Sequence, residues 1–209
     1  MLNNYDKIAN QYDFMSRLVF FKSQVNAQIN QLKYLPKNGS ILVVGGGTGW
    51  ILEEISKLSP KGLKIVYVEI SAKMVALSKQ RNFGDNEVQI VNQGIEEFDS
   101  SILFDAILTP FLFDNFSKER VEFVFEKLSG FLKPCGLWLF VDFCVGTASG
   151  QWWKLFLLKA MYRFFKLLSI VEASQLIETK PYFEGSKYTL IDESRYFGGF
   201  IRASVYKKA

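Results

Sequence analysis

The sequence predicts an α/β fold in which a seven-stranded, mostly parallel sheet carries helices on both faces. The first observation is the alternation of short β-branched runs with segments of helical apolar spacing over residues 40–143. The second is the run 40–45, which leads into a glycine cluster and then an amphipathic helix over 49–59. The third is a pair of β-rich runs, 187–193 and 200–207, which suit a terminal hairpin. Together they predict a doubly wound sheet with an antiparallel C-terminal strand.

Length and composition bound the class of protein. The chain has 209 residues, and this length suits a single domain over residues 1–209 with a substantial core. Lys and Arg form no dense run despite the net charge of +4, so we expect no nucleic-acid partner. The chain has no histidine, which removes the commonest general base and metal ligand, and no metal site is expected. Cys135 and Cys144 are interpreted as buried, reduced thiols of a cytoplasmic protein.

The N-terminal half predicts helices and strands in alternation. Apolar residues at helical spacing predict a helix over 17–34, ahead of the first strand. Strand two, Leu63–Glu69, is largely apolar, with an unbroken run over 65–68, as a parallel strand buried on both faces should be. Ser71 is predicted to cap a helix that reaches about residue 81. Strand three is predicted over 87–91.

The C-terminal half continues the alternation. Strand four is predicted over 104–109, and Ser117 begins the helix that follows it. Residues 133–136 predict a turn into strand five, 137–143. A long helix is then expected over 150–170, ahead of the hairpin.

The glycine cluster reads Gly45-x-Gly47-x-Gly49 and indicates a nucleotide-like cofactor at a helix N-terminus. The dinucleotide fingerprint needs a third small residue where this chain has Trp50. No Gly-Lys-Ser/Thr follows, so a phosphate-binding P-loop is excluded. The spacing therefore favours S-adenosylmethionine (SAM), a cofactor without a phosphate.

Glu69 ends strand two, 24 positions after Gly45. In an open α/β sheet the ligand lies at the carboxyl ends of the strands, where a carboxylate can accept hydrogen bonds from both hydroxyls of a ribose. The alternative is a solvated glutamate that caps the helix beginning near Ser71. The glycine cluster favours the ribose role.

The order of these motifs resembles the class I SAM-dependent methyltransferases, whose fold is Rossmann-like. The matching segments are Val43–Gly49, Glu69–Met74, Gly94–Glu96, Phe104–Leu108 and Leu132–Gly136. The opening Tyr5–Asp13, with its two Tyr-Asp pairs, is similar to the start of the ubiquinone/menaquinone-biosynthesis branch.

The resemblance implies a site for SAM and its product S-adenosylhomocysteine (SAH). The residues that it places there are Gly45, Gly46, Gly47, Gly49, Glu69, Ile70, Met74, Gly94, Ile95, Glu96, Thr109 and Tyr12. Ile95 stands where the family usually has an Asp for the adenine amino group, so that contact is missing or passes to Glu96. The backbone carbonyl of Thr109 would receive the amino group of the cofactor. Val43 replaces an acidic residue that in many relatives reaches under the glycine turn.

The N-terminal segment, residues 1–35, has two interpretations. Tyr5 and Tyr12 are seven positions apart and share one face of a helix. They either pack a surface helix onto the body or belong to a lid over SAM, with Tyr12 near the methionine carboxylate.

Methyl transfer from a sulfonium is an in-line displacement, so alignment can supply much of the catalysis. A general base is needed only for a nucleophile that starts protonated. The candidates are Asp114, Asp142, Asp13, Tyr182 and Tyr188, each of which can instead be a cap, an ion-pair partner or a rim residue.

The helix over 150–170 belongs to a predicted helical cover, residues 150–185. Its basic residues, Lys159, Arg163 and Lys166, are expected opposite the apolar ones. The apolar side is expected to hold Trp153, Leu157, Leu158, Met161, Phe164, Phe165 and Leu168. The helix either packs on the sheet with a wet basic face, or it covers a lipophilic substrate and touches an anionic membrane through 152–168.

The leading hypothesis is a SAM-dependent methyltransferase that acts on a small, lipophilic or aromatic acceptor, quinone-like or lipid-like. One alternative is a SAM-binding module of the same fold without turnover, which Val43, Ile95 and the lack of an evident base keep open. An NAD-dependent oxidoreductase is a further alternative, which Trp50 disfavours.

Overall fold

The structure is a computed structural model that describes residues 5–145, 152–167, 173 and 175–209. The strands follow the predicted order along the chain. They are β1 (Gly39–Val44), β2 (Lys61–Glu69), β3 (Asp85–Asn92), β4 (Phe104–Pro110), β5 (Leu132–Phe143), β6 (Tyr188–Tyr196) and β7 (Ile201–Lys208). The helices are α1 (Ala9–Phe20), α2 (Ser23–Ile29), α3 (Trp50–Leu58), α4 (Ala72–Ser78), α5 (Lys118–Phe131), α6 (Trp152–Leu167) and α7 (Lys180–Glu184).

All seven strands form one sheet in the order β3-β2-β1-β4-β5-β7-β6. The first five pair in parallel, whereas β7 runs antiparallel to both β5 and β6. This confirms the predicted mixed sheet with an antiparallel C-terminal strand. The strand order reverses between β1 and β4, and that reversal opens a crevice at the carboxyl ends of the strands.

Apolar clusters cover both faces of the sheet, as the largely apolar central strands require. One cluster packs Val121, Val124 and Leu128 of α5 against the sheet, and the other packs Ile51 and Leu52 of α3. Ser71 caps α4 as predicted, since its Oγ accepts a hydrogen bond from the Met74 backbone N–H at 3.2 Å.

The single helix predicted over 17–34 is wrong. Two helices, α1 and α2, replace it, and the chain turns sharply between them at Phe21, whose φ is +52°. The cause is tertiary: the Phe20 ring is buried against Phe143, Phe197 and Phe200, with ring centroids 5.3–6.3 Å apart. A continuous helix could not place this ring in that cluster and also direct α2 back along the sheet. The chain therefore turns at Phe21.

The turn predicted at 133–136 lies inside β5 rather than before it. The pairing of β4 with β5 shifts register between Phe104 and Ala106, and Cys135 adopts a φ of +60° there. The irregularity turns the Cys135 side chain to solvent. The expectation that both thiols are buried therefore holds for Cys144 alone.

The expected two-sided character of the helix over 150–170 is partly confirmed. Leu158 is buried, and Trp153, Leu157, Met161 and Phe165 are half-buried, whereas Phe164 is exposed. Leu168 lies outside the described residues. No helix in the described ranges is long and apolar enough to cross a membrane.

Candidate functional site

A cleft opens at the crevice beside β1, β2 and β4, under the N-terminal helix α1. Most of the predicted cofactor residues line it. These are Gly45, Gly46, Gly47, Glu69, Ile70, Met74, Gly94, Ile95, Glu96 and Tyr12. Gly49 and Thr109 do not line it: Gly49 packs against Ser78 of α4, and the Thr109 hydroxyl accepts a hydrogen bond from Trp138 Nε1 at 2.9 Å. Pro110, the next residue, lines the cleft in place of Thr109.

The glycine turn needs its glycines for two reasons. Gly47 lines the cleft and has a φ of +65°, a conformation that L side chains rarely adopt. A Cβ on Gly46 would lie 2.5 Å from the ring of Tyr67. The turn therefore needs glycine at 47 for its backbone conformation, and at 46 because β2 lies too close for a side chain.

Tyr67 supports the turn at the place where the sequence lacks the family's usual acidic residue. Its hydroxyl donates a hydrogen bond to the Gly47 carbonyl at 2.8 Å. Val43 is fully buried, and Tyr67 is its direct partner in the parallel pairing of β1 and β2. From α4, Arg81 Nε adds a hydrogen bond to the Thr48 carbonyl at 3.0 Å. Sequence reasoning missed Tyr67, although it lies two residues before Glu69 and so shares its face of the strand.

Glu69 is buried, so it is not the solvated residue of the alternative interpretation, although it does contact the start of α4. Its Oε1 accepts a hydrogen bond from the Ser71 N–H at 2.9 Å, and its Oε2 accepts one from the Gly47 N–H at 3.1 Å. Burial raises the pKa of this carboxyl to about 7, against the lowering effect of the backbone hydrogen bonds. The carboxyl thus joins the end of β2 directly to the glycine turn.

The segment after β3 brings one apolar and one acidic residue to the cleft. Ile95 is buried in the core beside Phe98. Glu96 Oε1 pairs with Arg120 Nε, and the Arg120 guanidinium lies over the Phe116 ring, 4.2 Å from its centroid. Glu96 Oε2 is buried and has no hydrogen-bond partner among the described residues. A buried carboxylate oxygen without a donor leaves one acceptor for a ligand.

The N-terminal segment is fastened across the cleft through both Tyr-Asp pairs. Asp6 accepts hydrogen bonds from Ser71 Oγ at 2.5 Å and from the Lys73 N–H at 3.0 Å. Asp13 accepts one from Thr48 Oγ1 at 2.7 Å and lies 3.6 Å from an Arg81 nitrogen. These contacts join the segment to the turns that follow β1 and β2.

The two tyrosines of the segment meet over the same cleft. The rings of Tyr5 and Tyr12 pack edge to face at 5.5 Å, and the Tyr5 hydroxyl donates a hydrogen bond to Asn115 Oδ1. Asn115 follows β4 and also lines the cleft. The tyrosines therefore connect the segment to the third strand that borders the crevice.

Most of the candidate bases lie elsewhere. Asp142 is buried, and its Oδ2 accepts hydrogen bonds from the N–H groups of Phe113 and Asp114 at 3.2 Å each. Burial and the nearby Asp142 raise the pKa of Asp114, but neither side chain lines the cleft. Tyr182 and Tyr188 bond to Glu122 and Ser129 of α5 instead. Of the candidate bases, Asp13 alone lines the cleft.

The wall that follows β4 is apolar and contains strained backbone. Pro110, Phe111, Leu112 and Phe116 line the cleft there. Phe111 has a φ of +50°, an uncommon conformation for a bulky residue, and its N–H donates to the Val141 carbonyl at 2.7 Å. Such outliers concentrate at functional sites, where the surrounding structure holds them.

Comparisons with known proteins agree with this geometry. Residues 41–136 match the model of a methyltransferase domain family. A ubiquinone/menaquinone biosynthesis C-methyltransferase of Geotalea daltonii is 27% identical over 182 residues, covering 80% of this chain and 71% of that protein. Its counterpart in Geotalea uraniireducens is 36% identical over 80 residues, covering 37% of this chain and 34% of that protein.

Solved structures share the fold at low identity. A complex of DhpI with SAH matches with a TM-score of 0.69 and 15% identity, covering 98% of this chain and 93% of that one. The N-methyltransferase NodS of Bradyrhizobium japonicum, in complex with SAH, matches with a TM-score of 0.65 and 12% identity, covering 88% and 86%. Together with the family model, these matches confirm the predicted resemblance to class I SAM-dependent methyltransferases.

Proposed function

We propose that this SAM-dependent methyltransferase binds SAM in the cleft under α1 and transfers its methyl group to a lipophilic ring acceptor. The observation that carries the proposal is the hydrogen bond between Gly47 N–H and Glu69 Oε2, because it puts the glycine turn and the acidic end of β2 in one site. Glu69 would accept hydrogen bonds from the ribose hydroxyls, and the turn would hold the methionine part.

The residues around the cleft fit SAM further. Ile70 and Met74 would flank the adenine, and Glu96 Oε2, the buried acceptor without a described partner, would receive the adenine amino group in place of an acidic residue at position 95. Gly94 leaves room beside them. The cofactor supplies a methyl group on a positively charged sulfur, which is a good leaving group.

The N-terminal segment would act as the lid of this site. Tyr12 lines the cleft near the glycine turn, where the methionine carboxylate would lie. The contacts of Asp6 and Asp13 hold the segment down on both sides, so closure would exclude water from the transferring methyl group.

The acceptor is proposed from the apolar wall. Phe111, Leu112 and Phe116 offer a surface for a flat apolar ring, and Val25 of α2 also lines the cleft. Asp13, the candidate base that reaches the cleft, is already engaged by Thr48 and Arg81. A ring hydroxyl or enol that ionises readily suits such a site, since it needs little help from a base. A lipophilic acceptor of this kind resides in membranes.

Isothermal titration calorimetry tests the cofactor assignment. The wild type is expected to bind both SAM and SAH, and Glu69→Gln is expected to bind SAH about 10- to 100-fold more weakly, because the ribose loses a charged acceptor. Glu87→Gln, an exposed position on β3, is the matched control and should bind as the wild type does. If the wild type binds neither SAM nor SAH, the proposal is refuted. Binding without transfer to any of a broad range of acceptors would favour the alternative of a binding module.

A further inference from the structure

The outward face of α6 is apolar as well as basic. Trp152, Phe156 and Leu167 leave 74%, 71% and 78% of their surface exposed. At 100° per residue they share this face with the exposed Lys159 and Arg163, and Lys166 lies at its margin. A helix that only covers a sheet turns polar side chains outward. Large apolar side chains on this face therefore indicate a binding surface.

A second exposed apolar group lies on α1. Phe14 and Leu18 are 70% and 67% exposed, and Phe21, at the turn after the helix, is 72% exposed. The opposite side of α1 presents Tyr12 and Ser16 to the cleft. The helix thus has one face for the candidate site and another, apolar face for something outside the protein.

The two helices lie over the same end of the sheet. Phe20 of α1 and Trp153 of α6 both pack on the Phe200 ring, at 6.3 and 6.0 Å between centroids. The ring of Tyr5, ahead of α1, contacts Phe165 of α6 at 5.8 Å. Their outward residues can therefore contact one partner. We name this surface the α1–α6 face; it comprises Phe14, Leu18, Phe21, Lys22, Trp152, Phe156, Lys159, Arg163, Lys166 and Leu167.

Charge identifies the partner. No acidic residue occurs between Asp13 and Glu53, or between Asp142 and Glu172, and these two segments contain eight Lys and Arg. The rest of the chain has the remaining 17 basic residues and all 21 acidic ones. The net positive charge therefore arises from the segments that contain α1 and α6. A second copy of the chain would bring the same positive surface against it, which like-charge repulsion opposes.

We propose that the α1–α6 face docks onto a lipid bilayer that contains anionic lipid. Trp152, Phe156 and Leu167 would enter the headgroup boundary, while Lys159 and Arg163 contact lipid phosphates. The inference rests on the proposed function, because a bilayer is where a lipophilic acceptor resides. Since α1 forms part of the cleft wall, docking would place the acceptor site beside the membrane surface.

Vesicle sedimentation tests the proposal directly. The wild type is expected to sediment with phosphatidylcholine vesicles that contain phosphatidylglycerol, and far less with phosphatidylcholine alone or at high salt. Lys159→Gln/Arg163→Gln should lower the partition coefficient roughly 25-fold, at about fivefold for each basic residue. Trp152→Ser/Phe156→Ser should lower the partition coefficient at least about tenfold, because two aromatic rings no longer insert into the membrane interface.

The matched controls are Lys61→Gln/Lys79→Gln and Phe123→Ser, at exposed positions outside this face. They should bind vesicles as the wild type does.

Parallel SAH titrations separate the two proposals. A protein that binds SAH but does not sediment with anionic vesicles would overturn membrane docking and leave the cofactor assignment intact. Equal losses in the face variants and the controls would also overturn it. The wild type could instead self-associate without binding vesicles, and Trp152→Ser/Phe156→Ser could abolish that self-association. This result would assign the face to a second copy and overturn the lipid proposal. The wild type could instead bind vesicles, with loss of binding in the face variants, but fail to bind SAH. That result would support docking and contradict the proposed function.

Discussion

Asp13 Oδ2 accepts a hydrogen bond from Thr48 Oγ1 at 2.7 Å, which joins the N-terminal helix to the glycine turn. Asp13 was a candidate base from the sequence, yet its carboxylate already serves this contact and lies 3.6 Å from an Arg81 nitrogen. The relationship favours a structural role, in which the carboxylate fastens the lid to the part of the site that would hold the methionine.

Asp13→Ala and Thr48→Val are each expected to weaken SAH binding about five- to tenfold, since one hydrogen bond to a charged group is lost and the lid closes less firmly. The double variant should be hardly weaker than either single variant, because both remove the same contact. Calorimetry measures all four affinities. Asn10→Ala, an exposed position on α1, serves as the control. Additive losses would mean that Asp13 and Thr48 act separately.

The affinity for SAH should depend on pH through Glu69, whose pKa is raised to about 7 by burial. The ionised carboxylate accepts from both ribose hydroxyls, so below this pKa a proton must first be lost and binding weakens. Affinity is therefore expected to fall about tenfold between about pH 8 and about pH 6. Glu69→Gln should bind more weakly at every pH but lose this dependence. An unchanged pH dependence in that variant would exclude Glu69 as its source.

Tyr67→Phe is expected to loosen the glycine turn, because the Gly47 carbonyl loses the hydroxyl that now donates to it at 2.8 Å. We expect a fall of about 1 kcal/mol in the free energy of unfolding and a several-fold loss of SAH affinity. Tyr188→Phe is the matched control, since its hydroxyl bonds to Ser129, far from the cleft, at 2.9 Å. Urea unfolding and calorimetry should show similar stability losses but an affinity loss in Tyr67→Phe alone.

Glu96 should determine the preference for adenine. Wild-type protein is expected to bind SAH about 10- to 100-fold more tightly than S-inosylhomocysteine, in which an oxygen replaces the amino group that Glu96 Oε2 would receive. Glu96→Gln should reduce or reverse that preference, because its amide can donate to the oxygen. Glu97→Gln, exposed at the next position, should retain it. If the ratio of the affinities for SAH and S-inosylhomocysteine is unchanged in Glu96→Gln, Glu96 does not contact the adenine amino group.

Asp142 is expected to support the turn after β4 without taking part in proton transfer. Asp142→Ala leaves the N–H groups of Phe113, Asp114 and Phe143 without their acceptor, so we expect a loss of about 3 kcal/mol and a Tm lower by roughly 10 °C. Asp142→Asn, which keeps one acceptor oxygen, should lose less and should retain the pH dependence of SAH binding. A shifted pH profile in Asp142→Asn would give this carboxyl a direct part in the site.

The sequence predicted the sheet and most of the cofactor cleft because both depend on local patterns. Largely apolar strands, the glycine turn and Glu69 at the end of β2 can each be recognised from neighbours along the chain. The break at Phe21 could not be predicted, because it follows from the burial of Phe20 among residues 143, 197 and 200. The same holds for Asp142, whose partners lie 28 and 29 positions away. Tyr67 was within reach of the sequence, since it shares a strand face with Glu69.

Transfer of a labelled methyl group tests the central claim most directly. The protein would be incubated with SAM tritiated in its methyl group and with a series of phenols and hydroquinones, with and without an alkyl chain, and the organic extract counted. We expect label in the extract, more of it for acceptors with an alkyl chain, and about tenfold or greater loss in Glu69→Gln. Failure to label any acceptor, by protein that binds SAH normally, would contradict the proposed methyl transfer to a lipophilic ring.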